Sequence, residues 1–376
     1  ESPFDTQQAL LATLACACAF ALVVSLTHSP RRLRVLMLGL VGSGVAQAVA
    51  AGALFAAHTD YRYFFMPFFA GDRASGTFAN WNHLAGYMSL CLSMGVGAMV
   101  AGFGPAAQRA RRWPDRGFAA LRFLLSGQML VRLMLVVMVV ALVLSRSRMG
   151  NAAFVVGLCI TGCVCAAKSL RLRRPALWLV VSLLLVDGVI VGQWVGLEQV
   201  MQRLDHTAAM REPADLADST IGHRPGREES VQERLQAGRD ALRMVAAQPV
   251  LGFGGGTFYS AFPPFKSPLL TGFFDHAHND YAELAADTGL VGLALLLALA
   301  GATLCRAIAL LSDRESPATQ GVAVGVFMAM CCLGVHSAFD FNLQIPANAL
   351  TFTAVLALAW SVAPARAGIR SPHVSR

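Results

Sequence analysis

Long uncharged apolar runs alternate with short arginine-rich stretches along most of the chain. A helix needs about 20 apolar residues to cross the hydrocarbon core of a bilayer. Runs of suitable length and composition cover residues 9–27, 35–57, 83–103, 128–145, 150–167, 176–196, 288–311, 319–339 and 346–364. Because lipid offers backbone amides no hydrogen-bond partners, each run must be helical. The pattern predicts an all-α polytopic membrane protein with about nine transmembrane helices.

The composition supports a membrane protein and argues against a nucleic-acid partner. Charged residues make up 14% of the chain, whereas soluble domains average about 25%. The net charge of +8 could indicate nucleic-acid binding, but the arginines lie between the apolar runs. In that position they signal membrane topology instead. The cysteines all lie in apolar runs, so neither a disulfide framework nor a zinc site is indicated.

The basic residues also predict the orientation of the spans. They concentrate in alternate connections, namely residues 28–34, 104–126, 168–175, 312–318 and the C-terminal tail. By the positive-inside rule these connections face the cytoplasm. The remaining connections then face outward, towards the periplasm if the organism has two membranes. The chain begins at Glu1 rather than methionine, and we expect further residues and spans ahead of it.

One outward connection is far longer than the others. Residues 197–287 form a polar segment that is too long for a plain connection. It separates an N-terminal bundle of six spans (1–196) from a C-terminal bundle of three spans and a tail (288–376). We interpret it as one large, partly helical periplasmic loop.

A helix is predicted within this loop. Ser230–Glu233 has the pattern of a capping box, and Gln248-Pro249 marks the end of the helix at about Ala247. Arg234 lies in the first turn, where a cation opposes the helix dipole. That position favours a functional role about as strongly as it favours an ordinary solvated arginine. The glycine-rich run that follows, Gly252–Gly256, is interpreted as a structural turn.

The loop ends in a cluster of chemically active side chains. Its sequence is Asp275-His276-Ala277-His278-Asn279-Asp280-Tyr281-Ala282-Glu283. An imidazole suits proton abstraction, and a neighbouring carboxylate can orient it. The same residue types can also ligate a cation, so the residues alone leave both interpretations open.

Three further outward positions carry polar residues. Arg146 and Arg148 lie where the positive-inside rule disfavours them, and they either grip phosphate or snorkel at the interface. Another group provides hydrogen-bonding partners for sugar hydroxyls, namely Arg73, Asn80 and Asn82. Asp340 follows His336 at the outer end of a span, where an ionisable pair indicates function. Together these groups suit a lipid-linked anionic substrate and a polar partner.

These motifs together resemble the O-antigen ligase/O-antigen polymerase superfamily over roughly residues 60–360. The matching segments are Gly76–Tyr87, Ser145–Arg148, Arg234, Pro249–Phe258, His278–Tyr281, Thr288–Leu293 and His336–Ala347. Gly238 departs from the aromatic residue that many members carry, and Trp81 from a common proline. These departures bear on sub-specificity more than on class.

The resemblance implies a lipopolysaccharide-biosynthesis enzyme of the bacterial inner membrane. It implies glycan transfer from undecaprenyl diphosphate to a lipid A-core acceptor, inverting and without metal, nucleotide sugar or other cofactor. His278 would be the base that activates the acceptor hydroxyl, and Arg148 and Arg234 would hold the diphosphate. The other expected substrate-binding residues are Arg73, Asn80, Asn82, Arg146, His276, Asn279, Tyr281 and Asp340.

Other functions remain as alternatives. A polymerase, which extends the glycan on its lipid carrier, shares the motifs of a ligase. A transporter or flippase belongs to another class, but we see no inverted repeat and no pair of broken helices at matching positions. A scaffold in polysaccharide export is the third alternative.

Overall fold

The computed structural model describes residues 2–63, 66–69, 73–102, 127–168, 177–178, 180–186, 188, 231–270, 273–312 and 316–362. In these residues the chain is almost entirely helical. The helices are α1 (Pro3–Leu26), α2 (Pro30–Ala56), α3 (Trp81–Ala101), α4 (Gly127–Leu144), α5 (Arg148–Lys168), α6 (Val231–Ala247), α7 (Phe258–Ala261), α8 (Asp280–Leu311), α9 (Pro317–His336) and α10 (Pro346–Ser361). Short 3-10 helices cover Pro263–Phe265 and Asn342–Gln344.

The predicted class, an all-α polytopic membrane protein, is confirmed. Within the described residues, seven helices are long and apolar enough to span a bilayer, namely α1 to α5, α8 and α9, while α10 is apolar but shorter. Each corresponds to a predicted run. The predicted span 176–196 lies largely outside the described residues, although residues 180–186 are helical. The sidedness of the spans and the division at residues 197 and 287 stay predictions.

Helices α3 and α9 form the buried centre of the bundle, and small residues allow their close approach. A Cβ atom added to Gly321 on α9 would lie 2.5 Å from the carbonyl oxygen of Gly97 on α3. Gly157 on α5 meets Cys332 of α9 in the same way. Such contacts suit membrane helices, which associate by close packing because lipid supplies no hydrophobic drive between them. In contrast, α1 has no buried residue.

The predicted loop helix is confirmed as α6, which ends at Ala247 as expected. It packs against the first turns of α8. The small apolar core between them contains Ala237, Ala241, Met244, Phe258, Phe262, Phe274, Ala277 and Ala286. This packing fixes the position of Arg234, which lies near the N-terminal end of α6.

Two features differ from the sequence analysis. Strands β1 (Thr59–Tyr63) and β2 (Met66–Phe69) form an antiparallel pair with Tyr63 opposite Met66, in the connection between the predicted spans 35–57 and 83–103. Aromatic residues favour strands. Helix α8 begins at Asp280, well before the predicted span at 288, and has a non-helical residue at Gly289.

At the break in α8 at Gly289, the helix contacts the loop segment that follows α6. Gly289 has φ 68° and ψ −176°, a conformation that is essentially limited to glycine. A Cβ atom there would overlap the carbonyl group of Val250. The next amide, that of Leu290, donates a hydrogen bond to the carbonyl oxygen of Pro249 at 2.8 Å. The first turns of α8 are therefore held against the loop segment that follows α6.

Candidate active site

The polar residues of several elements meet at one end of the bundle. The starts of α3 and α8 approach the segment after α9. Nε2 of His83 lies 3.9 Å from Oδ1 of Asp340, and the amide of Asp280 donates to the carbonyl oxygen of Ser337 at 2.9 Å. The connections that the sequence assigned to one side of the membrane thus do share one end of the bundle.

Asp340 lies at the centre of this cluster and is 1% exposed. Its Oδ1 is 3.7 Å from Nδ1 of His278, and its Oδ2 is 3.5 Å from Nη1 of Arg234. His278 is itself 4% exposed. The fold therefore brings together a loop histidine, a loop-helix arginine and a carboxylate from between two membrane helices.

The basic neighbours of Asp340 lower the pKa of its carboxyl. Burial alone would raise the pKa of this carboxyl, because desolvation disfavours the charged form. The surrounding basic groups outweigh burial and hold the pKa of Asp340 well below its usual range. These groups are the side chains of His278, His336, Arg234 and His83.

The backbone at His278 is strained. His278 has φ 50°, a left-handed conformation that is uncommon for residues other than glycine. Strain of this kind costs about 1–3 kcal/mol and persists only where the surroundings enforce it. After His278, Asn279 caps α8 by accepting hydrogen bonds from the amides of Tyr281 and Ala282, both at 3.0 Å. Its Nδ2 donates to the carbonyl oxygen of Ala338 at 3.1 Å.

His276 is paired with Glu283 and stacked on an aromatic ring. Its Nδ1 lies 2.6 Å from Oε1 of Glu283. Its ring lies parallel to that of Phe341, with centroids 4.0 Å apart, and the edge of the same phenyl ring packs on His278 at 5.0 Å. Burial opposes protonation of His276, but the Glu283 hydrogen bond and the nearby carboxylate charges outweigh it and raise the pKa of His276.

Arg146 and Arg148, in the turn between α4 and α5, lie beside the cluster. Arg148 is exposed at the first position of α5, and Arg146 has a left-handed backbone with φ 50°. The turn touches the cluster through Gly150, where an added Cβ atom would lie 3.3 Å from Cε1 of His336. A substrate beside the start of α5 and the end of α9 would therefore meet both the turn and the cluster.

The remaining predicted residues have mainly structural contacts. Arg73 lies over the ring of Trp81, with its guanidinium carbon 4.7 Å from the ring centroid. Asn80 caps α3 by accepting a hydrogen bond from the amide of Asn82 at 2.8 Å. Asn82 is buried, and its Nδ2 has no hydrogen-bond partner among the described residues. The hydroxyl of Tyr281 donates to the carbonyl oxygen of Gly334 at 2.8 Å.

Three buried side chains of the site were given no role in the sequence analysis, namely those of His83, Asn342 and Asn348. His336, which the sequence paired with Asp340, is buried as well. Nδ2 of Asn348 donates both to the carbonyl oxygen of His83 and to Oδ1 of Asn342, each at 3.1 Å. The only signal in the sequence was that these polar residues lie at the ends of apolar runs, where a buried polar side chain indicates function.

The arrangement can support acid–base chemistry next to an anion. A carboxylate beside Nδ1 of an imidazole orients that ring as a base, while guanidinium groups stabilise developing negative charge. Cation ligation was the other interpretation of the histidine motif. Among the described residues, no group of three or more His, Cys, Asp or Glu side chains is arranged to hold a metal ion.

The fold and the site define a multi-pass membrane protein with a buried basic–acidic cluster at one end of its helical bundle. A family model for the O-antigen ligase matches residues 133–297, somewhat less than half of the chain. Over these residues the chain is similar to the O-antigen ligase family, and the match supports a membrane glycosyltransferase of the ligase or polymerase type. The matched segment contains Arg146, Arg148, Arg234 and His278. A search of curated protein sequences finds no match.

Proposed function

We propose that this protein transfers a glycan from undecaprenyl diphosphate to a hydroxyl of lipid A-core, on the periplasmic face of the bacterial inner membrane. The family supports a ligase or polymerase and lipid-linked substrates. The observation that carries the proposal is the position of Asp340 between His278 and Arg234. The buried Asp340 carboxylate thus lies next to both the proposed base, His278, and the cationic side chain of Arg234.

In the proposed reaction, His278 is the general base. Asp340 beside Nδ1 favours the tautomer that leaves Nε2 available to accept a proton. As the acceptor oxygen attacks the anomeric carbon, its proton passes to His278. The bond between that carbon and the diphosphate oxygen breaks, and its electron pair leaves with the diphosphate. Attack opposite the leaving group inverts the anomeric configuration.

Arginines are proposed to stabilise the departing diphosphate. A guanidinium presents five N–H donors in a planar fork that matches phosphate, and Nη1 of Arg234 lies 3.5 Å from Oδ2 of Asp340. Arg148, exposed at the start of α5, would bind the same diphosphate with Arg146. Fixed cations in a sheltered site stabilise the charge that develops in the transition state, so no step in this scheme requires a divalent metal.

The remaining predicted residues are proposed to contact the sugars or support the site. Arg73, Asn80 and Asn82 lie at the start of α3, where hydrogen-bonding groups can meet hydroxyls. His276, Asn279 and Tyr281 surround the base and fix the segment that carries it.

The test is transfer by the purified protein in lipid nanodiscs, with undecaprenyl-diphosphate glycan, lipid A-core and EDTA. We expect His278→Ala to lower the rate by about 100-fold or more, the usual contribution of a general base. Arg234→Lys retains a positive charge beside Asp340 but loses the planar fork that grips phosphate, so its activity should also fall. Arg239→Ala, on the exposed side of the same helix, is the matched control and should remain active.

The outcomes distinguish the alternatives. Undiminished transfer by His278→Ala would show that His278 is not the base. Elongation of the glycan without lipid A-core would identify a polymerase. Movement of the lipid-linked glycan across the bilayer without any new glycosidic bond would instead identify a flippase.

A further inference from the structure

The buried carboxylate of Glu283 holds both residues that directly precede His278. Glu283 lies in the first turns of α8 and is 2% exposed. Its Oε1 lies 2.6 Å from Nδ1 of His276, and its Oε2 accepts a hydrogen bond from the amide of Ala277 at 2.8 Å. The Glu283 side chain therefore fixes the His276 ring and the Ala277 amide, which directly precede the proposed base in the sequence.

These contacts act on a strained part of the backbone. The left-handed conformation of His278 must be enforced by its neighbours, since it is unfavourable by itself. On the C-terminal side, the Asn279 cap and the hydrogen bond from the amide of Asp280 to Ser337 provide that restraint. On the N-terminal side, Glu283 supplies two hydrogen bonds, to His276 and Ala277, beside the stacking of His276 on Phe341.

The chemistry of Glu283 fits this task better than a purely space-filling role. Burying a carboxylate is costly unless it is hydrogen-bonded, and an apolar side chain would avoid that cost. An apolar side chain, however, could accept no hydrogen bond from His276 or Ala277. The 2.6 Å contact between Nδ1 and Oε1 is slightly shorter than the roughly 2.7–2.9 Å of charge-assisted N–H···O hydrogen bonds.

We propose that Glu283 is a positioning residue for the transfer reaction. It locks His276 and Ala277, thereby holds His278 in its left-handed conformation, and so aims the imidazole at the acceptor hydroxyl. Glu283 acts through these neighbours and does not touch the substrate. The inference rests on the proposed role of His278 as the base.

The first test compares Glu283→Ala and Glu283→Gln with Asp287→Asn in the full chain. Asp287 is a second buried carboxylate of α8, but its Oδ2 accepts from the amide of Gly256 at 2.7 Å and supports the glycine-rich turn instead. We expect Glu283→Ala to lower kcat about 100-fold, the effect of a misplaced catalytic group. The KM values for donor and acceptor should change by less than about threefold, because substrate binding is retained.

The conservative variant and the control define the outcome. Glu283→Gln should have a kcat about tenfold higher than that of Glu283→Ala, because its amide oxygen can still accept a hydrogen bond from the amide of Ala277. Asp287→Asn should keep kcat within about threefold even if its thermal unfolding midpoint falls. Equal kcat values for Glu283→Ala and Asp287→Asn, or a loss confined to KM, would overturn the proposal.

A second measurement is independent of the reaction. Hydrogen–deuterium exchange should become at least about tenfold faster at the amides of Ala277 and His278 in Glu283→Ala, since that opening is normally suppressed by local contacts. In Asp287→Asn the change should instead appear at Gly256. If the wild-type protein transfers no glycan, the proposed function fails. Unchanged exchange at Ala277 in Glu283→Ala would overturn the positioning role whatever the activity.

Discussion

Nδ1 of His278 lies 3.7 Å from Oδ1 of Asp340, and water reaches little of either side chain. The two residues flank a pair of membrane helices in the sequence, His278 before α8 and Asp340 after α9. Their approach depends on the hydrogen bonds that join the start of α8 to the segment after α9, including that from Asp280 to Ser337. The short distance between the two side chains therefore depends on the tertiary packing of these segments.

Replacing Asp340 tests this pairing. Asp340→Asn keeps the size of the side chain but removes the charge that orients His278 and neutralises Arg234. We expect the rate of transfer to fall by about 100-fold or more. Asp240→Asn is a suitable control, because Asp240 is also fully buried but accepts from the amide of Ser267 within the loop core. Asp240→Asn should lower the unfolding midpoint but leave the rate of glycan transfer unchanged. An Asp340→Asn protein that transfers glycan at the wild-type rate would contradict the role of Asp340.

Arg148 is expected to act on the donor rather than on the fold. Since it is exposed, Arg148→Ala should change the free energy of unfolding by no more than about 0.5 kcal/mol. The loss of one phosphate-binding guanidinium should lower kcat/KM for the lipid-linked donor by roughly tenfold or more, the equivalent of about 1.4 kcal/mol. Thermal unfolding and donor titration measure the two effects. If donor kinetics do not change, Arg148 merely snorkels at the interface.

Gly150 is expected to allow no larger residue. A Cβ atom there would lie 2.5 Å from Cβ of Ala85 and 3.3 Å from Cε1 of His336. Gly150→Ala should therefore push the start of α5 away from the site, with a loss of about 1–3 kcal/mol in stability and of transfer activity. Gly301→Ala on α8 has no neighbour within 4 Å and should be neutral or slightly stabilising. Equal stabilities for the two variants, measured by thermal unfolding, would contradict this packing.

The His276–Glu283 pair predicts a pH dependence of stability. The pKa of His276 is raised in the folded protein, so its stabilising effect is complete below the unfolded value of about 6.5. The effect is lost as the pH rises through the higher folded pKa. Between pH 6.5 and pH 9, the difference in unfolding midpoint between wild type and His276→Gln should therefore shrink. His28→Gln, which alters an exposed histidine, should run parallel to wild type; a parallel profile for His276→Gln would contradict the prediction.

Most of the described membrane helices could be predicted from the sequence. Their apolar runs are long, and the backbone has no alternative to a helix in lipid. Helix α6 was also predictable, because a capping box and a proline mark its ends. The paired strands β1 and β2 and the early start of α8 at Asp280 were missed. Both lie in polar or aromatic segments where local contacts, rather than hydropathy, decide the backbone.

The site was predicted as a set of residue types rather than as an arrangement. The sequence indicated His278, Arg234 and Asp340 as candidates but could not show that they meet around one buried carboxylate. The role of Arg148 stays a prediction; its turn lies beside the cluster, in contact through Gly150 and His336. Glu283 stood in the histidine motif without a role, because its hydrogen bonds depend on a backbone conformation that spacing does not reveal.

By itself, the sequence determined the membrane class, most of the spans and the end of the bundle where polar residues gather. These properties follow from the free energy of placing each segment in lipid or water, which depends on local composition. Only the tertiary structure decided that Asp340 lies between His278 and Arg234. It alone also decided that Glu283 binds the two residues before His278. These relationships depend on how helices far apart in sequence pack together, and small residues such as Gly97, Gly150 and Gly321 set that packing.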